Sequence, residues 1–390
     1  MTESKNYEQW LLRLHDIGDD GERSRQAWEL YEELRNNGML PLVVETRAYF
    51  IFHGQASQVA LAGDWTYWQV ASSLKRLEGT DLFYRALEFP KTARLQYKFL
   101  VDGDFRVDPG NNRLSREGFG VNSEFWMSAY ADNSWLMPPS EHLERGTVER
   151  LELDSRTLDQ RREVFLYTPA GAADAGGDPL PVLIVHDGAE ALEIGRFHHI
   201  LDHLIAAGRI RPCVALFIPP TNRHDEYALN MRYIRFTVRD ALPFALGVWK
   251  ARGIRISSAA PDRCVLGASL GGLLSTMTAL RYPLVVGSCI AQSPAYWWAR
   301  GEIFRTPYFR NAAKLRVILQ TGTICDAREL TRIMYQKLRL AGADVVYHEY
   351  EQGHTWGNWR TNLATALLGW IGREPVDAGA TGDAVSAKAA

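Results

Sequence analysis

Apolar residues in the first 36 positions recur at helical spacing: Trp10, Leu11 and Leu14, then Trp28, Leu30, Tyr31 and Leu34. Gly38 and Pro41 end the pattern, so residues 1–41 are expected to be a helical lead-in that must pack on another surface. From Leu42 the period changes to two. Short β-rich runs (Ala48 to Phe52, Gln58 to Ala62, Leu82 to Tyr84, Leu95 to Val101) alternate with Gly, Asp and Asn turns. Asp102-Gly103, set between Leu100-Val101 and Phe105-Arg106-Val107, is a hairpin signal. Residues 42–134 therefore read as a small immunoglobulin-like β-sandwich. A Pro138-Pro139 stretch marks 135–146 as a linker.

Beyond Thr147, strands and helices alternate. Strand patterns cover 148–153, 163–168, 181–187, 213–218, 263–266, 286–291, 315–320 and 345–350; helical ones cover 192–206, 231–252, 270–281, 328–341 and 356–371. Several strands are apolar throughout, as in a mostly parallel sheet covered by helices on both faces. The expected fold is thus α/β over 147–373, preceded by the sandwich. Residues 374–390, rich in Ala, Gly and Asp, are expected to be a disordered tail.

Composition narrows the partners. A formal net charge of −2 gives no global basic field for nucleic acid or an anionic membrane. The weakly polar run from Val265 to Leu280 is broken by Gly267, Ser269, Gly271, Gly272 and Ser275, so it is not read as a membrane span. The first residues hold no apolar signal-peptide core, and Cys213, Cys264, Cys289 and Cys325 are too scattered for a disulfide framework. A reduced, cytoplasmic protein is the expectation. The sequence leaves the oligomeric state open.

Gly267-Ala268-Ser269-Leu270-Gly271 matches the G-x-S-x-G elbow, in which small residues let a strand turn sharply into a helix and expose a strained serine. An apolar strand precedes it and an apolar-periodic helix follows, as that turn requires. In this arrangement an acid and a histidine follow the serine in chain order. Asp326, in the loop after the 315–320 strand, is the first carboxylate available; as an alternative it caps the next helix, and Glu329 is then the substitute. His354 lies on the loop after the last strand, whereas His348 falls inside the strand pattern and reads as packed. His354 would take the Ser269 proton and return it to the leaving alcohol, with Asp326 orienting the imidazole. The oxyanion would meet the N–H of Leu270 and that of Gly188 or Ala189, unless 186–189 is a plain turn.

His199, Asp202 and His203 have metal-ligand spacing on one helix, but no Glu follows His199 as in a zincin. They read as a wet helix face, and no metal or other cofactor is expected. Gly271-Gly272 is not followed by Lys-Ser/Thr, so a phosphate-binding loop is excluded.

At these residues the region 147–373 resembles the putative-esterase (esterase D-like) branch of α/β hydrolases, closest to enterochelin (ferric siderophore) esterases. His186-Asp187-Gly188, Arg223-x-x-Glu226-Tyr227, Arg239-Asp240-x-Leu242-Pro243, Ala291-Gln292-Ser293-Pro294-x-x-Trp297-Trp298 and Gly353-His354-x-Trp356-x-x-Trp359-Arg360 carry the likeness. It departs at Asp326, where many siderophore esterases have a Glu in a Gly-Arg-rich loop. The resemblance implies hydrolysis of a catecholate-serine lactone. Trp297, Trp298, Trp356 and Trp359 would then form an aromatic wall, and Arg223, Arg232 and Arg235 would meet the anionic ferric complex. The alternative is that the tryptophans are core and Arg223 pairs with Glu226.

The sandwich resembles the glycogen-binding module of AMP-activated kinase β subunits, through Gly63-Asp64-Trp65-x-x-Trp68, Gln96-Tyr97-Lys98-Phe99-x-Val101-Asp102-Gly103, Val107-Asp108-Pro109 and Gly120-Val121-Asn122. Its sugar contacts would fall on Trp68, Lys98 and Asn122, with Phe105 where a second Trp is usual. Siderophore esterases carry a similar sandwich that binds no sugar. Three functions follow: an esterase acting on a small-molecule siderophore ester, a feruloyl or acetyl esterase anchored to a polysaccharide, or a binding protein on a catalytically dead hydrolase fold.

Overall fold

The computed structural model describes residues 2–70, 72–131, 143–173 and 178–373. Most of the expected linker and the whole expected tail lie outside these. The chain divides into two compact units, one of Met1–Asp132 with Thr323–Cys325 and Glu351–Thr355, the other of the remainder.

The first unit opens with α1 (Thr2–Arg13) and α2 (Asp20–Asn36), the latter capped by the Asp19 carboxylate, which accepts from Glu22 N. Among the described residues ten strands follow: β1 (Leu42–Val44), β2 (Arg47–His53), β3 (Val59–Gly63), β4 (Ser72–Ser73), β5 (Lys75–Arg76), β6 (Leu82–Glu88), β7 (Arg94–Val101), β8 (Asp104–Arg106), β9 (Leu114–Glu117) and β10 (Gly120–Trp126). They form two sheets, ordered β1-β2-β6-β5 and β4-β3-β7-β10-β9, with β8 beside β7. The unbroken apolar run of β2 has a clear cause. Ala48, Phe50 and Phe52 face the sandwich core, while Tyr49 and Ile51 join Leu11, Leu30 and Leu34 of the two helices. Period two thus delivers one strand to two cores. Trp28, read as part of the buried helix face, is instead 46% exposed and rests against Tyr31 and His53. Asp102 and Gly103 both have positive φ (50° and 98°), the two-residue turn that their sequence predicts.

The second unit holds β11 (Thr147–Ser155), β12 (Gln160–Thr168), β13 (Val182–His186), α3 (Gly188–Glu193), α4 (Phe197–Ala206), β14 (Val214–Ile218), α5 (Arg223–Tyr227), α6 (Met231–Phe236), α7 (Leu242–Ala251), β15 (Arg263–Ala268), α8 (Leu270–Arg281), β16 (Ser288–Gln292), α9 (Trp298–Gly301), β17 (Arg316–Gly322), α10 (Arg328–Leu340), β18 (Asp344–Tyr350) and α11 (Trp356–Ile371). Its eight-stranded sheet runs β11-β12-β14-β13-β15-β16-β17-β18 and is parallel from β14 to β18. One face packs on α6, α7, α8 and α10, the other on α4 and α11. Each fully buried Leu or Ile side chain contributes about 1.5–3 kcal/mol to that packing. This is the α/β-hydrolase arrangement, with a mixed sheet flanked by helices.

Two helices differ from expectation. The 192–206 pattern is α3 and α4 separated at Gly195, where a Cβ would fall 2.7 Å from the Phe197 ring. The 231–252 pattern is interrupted by a π turn at Thr237–Ala241. Among the described residues no helix is long and apolar enough to cross a membrane.

Candidate active site

The serine sits where the buried central strand β15 becomes α8, with φ 57° and ψ −121°. That backbone is strained for any residue but glycine and needs support from its surroundings. Its own N–H donates to Gln292 O (2.9 Å), and its carbonyl accepts from Ala295 N (2.9 Å). Gly267 is demanded sterically: a Cβ there would lie 2.4 Å from the Gly271 carbonyl oxygen. Ser269 is partly exposed, between buried Ala268 and Leu270.

The loop after β13 lies near the same turn. A Cβ on Gly271 would be 3.1 Å from Asp187 Oδ2. Asp187 adopts the left-handed region (φ 55°), and Gly188 packs so tightly that a Cβ would meet Ile218 N at 2.5 Å. Leu270 opens α8 while Gly188 and Ala189 open α3, so these three N–H groups belong to first helical turns, which lack intrahelical acceptors.

Arg223 departs from both of its expected roles. Its Nε and Nη2 donate to the Asp187 carboxylate (2.7 and 2.9 Å), and Nη2 reaches Ala268 O at 3.4 Å. Its charge is therefore matched by Asp187, which is 2% exposed on its side chain. Burial raises the Asp187 pKa, and Arg223 opposes that rise. Glu226 pairs instead with Arg162 (2.6 and 3.0 Å). Local spacing favours an i, i+3 pair, but each carboxylate pairs with a guanidinium from another element, Asp187 with Arg223 and Glu226 with Arg162. Behind the loop, His186 is buried against Tyr227 and Tyr233, with its pKa pushed down to about 3 by burial and by Arg223.

Asp326 follows β17 and is firmly held. Oδ2 accepts from Gly322 N and from Ser293 Oγ, each at 2.6 Å, and Oδ1 from Ala327 N at 2.7 Å. The N-cap of α10 is Ala327, without a side-chain cap, so Asp326 does not do the capping work that was its alternative. Glu329 is exposed and bonded to Arg328 (3.0 Å). Ser293 (φ 42°) also accepts from Trp359 Nε1 at 3.0 Å. No role for Ser293 was read from sequence, because it lies 33 positions from Asp326 and only the sheet joins them.

His354 is exposed on the loop after β18, in the segment that belongs to the first unit. His348 stacks on Tyr350, as a packed strand residue.

The aromatic wall needs correction. Trp356 and Trp359 are 6% and 7% exposed, packed edge-on to each other and, for Trp356, on Phe197. They begin α11 and face inward, so neither offers a ring to a ligand. Trp297 is 56% exposed beside Trp298, which is itself edge-on to His224. Arg232 donates to the carbonyls of Thr157 and Leu158 (2.7 and 2.8 Å), while Arg235 is exposed. Asp202 is likewise not on a wet face. It is buried, accepting from Tyr167 Oη and Gly146 N.

In the first unit, strand register puts Lys98, Phe105 and Asn122 on the sheet face opposite the core residues Tyr97 and Phe99. Trp68 Nε1 donates to Asp64 Oδ1 (3.2 Å), and Asn122 Nδ2 donates to Gln96 Oε1 (2.8 Å).

Comparison with known proteins bears on both units. Residues 155–370 match the model of a family described as putative esterase, and 46–122 match the glycogen recognition site of AMP-activated protein kinase. The Bacillus subtilis (strain 168) protein YjcH is 25% identical over 243 residues, covering 57% of this chain and 96% of that protein. The ferric enterobactin esterase of Salmonella typhimurium has a similar fold, with TM-score 0.71 and 18% identity over 83% of this chain and 93% of that one. The Shigella flexneri enterobactin esterase gives 0.69 and 18% over 83% and 92%.

Proposed function

This chain belongs to the putative esterase family, and from that premise we propose that it is a serine esterase using Ser269, His354 and Asp326. The observation that carries the reading is the strained backbone of Ser269 (φ 57°) at the strand-to-helix junction, near a loop whose first-turn N–H groups are available. His354 takes the hydroxyl proton as Ser269 attacks the ester carbonyl, then returns it to the departing alcohol. Asp326, held by Ser293 and the Gly322 N–H, keeps the imidazole in the required tautomer. The N–H groups of Leu270 and of Gly188 or Ala189 stabilise the tetrahedral oxyanion, worth about 3–4 kcal/mol per donor. Water then repeats the sequence on the acyl-enzyme.

The substrate proposed is a catecholate-serine lactone of the ferric siderophore kind. The likeness in fold to enterobactin esterases spans both units, and exposed Trp297 with Trp298 offers aromatic faces to catechol rings. Arg235 and Arg232 are the exposed cations, the latter also bonded to the Thr157 and Leu158 carbonyls, whereas Asp187 matches the charge of Arg223. A hydrolysis screen over catecholate lactones, feruloyl sugars and short p-nitrophenyl esters tests this. Cleavage of feruloyl sugar but not of the lactone would overturn it.

A polysaccharide side-chain esterase is the second reading, favoured by the glycogen-recognition match and the shared face of Lys98, Phe105 and Asn122. The internal bonds of Trp68 and Asn122 weigh against a sugar platform there. If the wild type resists labelling by a fluorophosphonate, the chain is instead a binding protein on a hydrolase fold.

A further inference from the structure

The segment that carries His354 is built into the β-sandwich. Strand β7 has β10 on one side and β3 on the other, but β3 ends at Gly63, opposite Tyr97. Toward the start of β7 that side is taken by the late segment Glu351–Thr355. Arg94 N donates to Glu351 O (3.2 Å), Arg94 and Gln352 form a parallel bridge, and Thr92 Oγ1 bonds the Glu351 carboxylate. Ile324, packed on the sandwich core, donates its N–H to Gln352 O (3.2 Å).

The next residue, Gly353, lies directly on Asp64. A Cβ at 353 would fall 2.6 Å from both Cβ and Cγ of Asp64 and 2.9 Å from its Oδ2. Asp64 has little freedom to yield. It is 4% exposed, its Oδ2 accepts from Gln96 N at 2.8 Å, and its Oδ1 accepts from Trp68 Nε1 at 3.2 Å.

We propose that Asp64 is a positioning residue for ester hydrolysis: clamped by Gln96 and Trp68, it fixes the backbone at Gly353 and so sets where His354 is presented. This rests on His354 being the general base. A carboxylate is a costly group to bury for packing alone, because an apolar side chain of similar size carries no desolvation penalty. Here both oxygens instead hold the turn against which Gly353 closes. The two residues that a sugar-binding module would offer to its ligand, Trp68 and Asn122, are bonded to this same patch through Asp64 and Gln96.

The test is steady-state kinetics on a p-nitrophenyl ester with the full-length protein, with melting temperature as the control for folding. Asp64→Asn keeps the shape but sets an amide N–H against one of the two donors. It is expected to lower kcat about tenfold or more with KM within about twofold, since small displacements of a catalytic group act on the chemical step. Gly353→Ala is expected to do the same. If Asp64→Asn does not fold, Trp68→Phe, which removes a single donor to Asp64, is expected to lower kcat about threefold at unchanged KM. Wild-type kcat in Asp64→Asn or Trp68→Phe overturns the proposal. His354→Ala separates the two claims: full activity there defeats the base assignment itself, whereas an inactive His354→Ala beside a fully active Asp64→Asn defeats only the role of Asp64.

Discussion

Ser269, Gly267 and Asp326 carry the sharpest consequences of single side chains. Removing the proposed nucleophile in Ser269→Ala is expected to reduce hydrolysis by a factor on the order of 10⁴ or more and to abolish fluorophosphonate labelling. Asp326→Asn leaves the hydrogen bonds from Gly322 and Ser293 competing with an amide, and kcat should fall on the order of 10²–10⁴. Glu329→Gln, on an exposed residue bonded to its neighbour Arg328, should leave kcat at the wild-type level. Parallel assays of the two acid variants check the assignment, and the reverse ranking would move the acid to Glu329. Gly267→Ala places a methyl against the Gly271 carbonyl and is expected to destabilise the protein by about 1–3 kcal/mol, read by urea titration.

At the scale of elements, the loop after β13 is held to α5 by the Asp187–Arg223 fork. Arg223→Ala strands a buried carboxylate, and the cost is expected at about 2–4 kcal/mol, below a fully buried pair because Arg223 is itself 36% exposed on its side chain. Combining it with Asp187→Asn should restore most of that stability, since the amide carries no charge. A double variant no more stable than Arg223→Ala would show that the fork holds nothing together. The same element explains why the sequence misled on Arg223. Spacing suggested Glu226 as its partner, yet Glu226 faces Arg162 of β12, 64 positions earlier. The tryptophans misled likewise: a helix beginning at Trp356 turns Trp356 and Trp359 inward onto α4 and the sheet, which a motif cannot reveal.

Over the whole molecule, the buried acids and buried His186 respond oppositely to pH. Burial pushes Asp64 up to about 7, with Glu117 adding and Gln96 N, Trp68 and Arg94 opposing. Burial takes Asp108 up to about 6 against hydrogen bonds from Tyr97, Gly110 and Asn111. An acid whose folded pKa is raised stabilises fully below its unfolded value, about 4, and loses that contribution as pH rises through the folded one. The melting-temperature advantage of wild type over Asp64→Asn should therefore shrink from pH 4 to 7; a constant difference contradicts the raised value. His186, lowered to about 3, has the opposite sign. Its contribution is present above about pH 6.5 and is lost as pH falls, so His186→Gln should flatten the acid-side decline. Local periodicity in the sequence by itself settled the two kinds of sheet, the Asp102-Gly103 hairpin and the strained serine between β15 and α8. Partners of long polar side chains were decided only in three dimensions. Arg223 and Glu226 could each reach several opposite charges, and burial by strands distant in the chain selected which pairs formed. The docking of Gly353 on Asp64 is of the same kind, because residues 289 positions apart meet only once β7 has a vacant side for a late segment to fill.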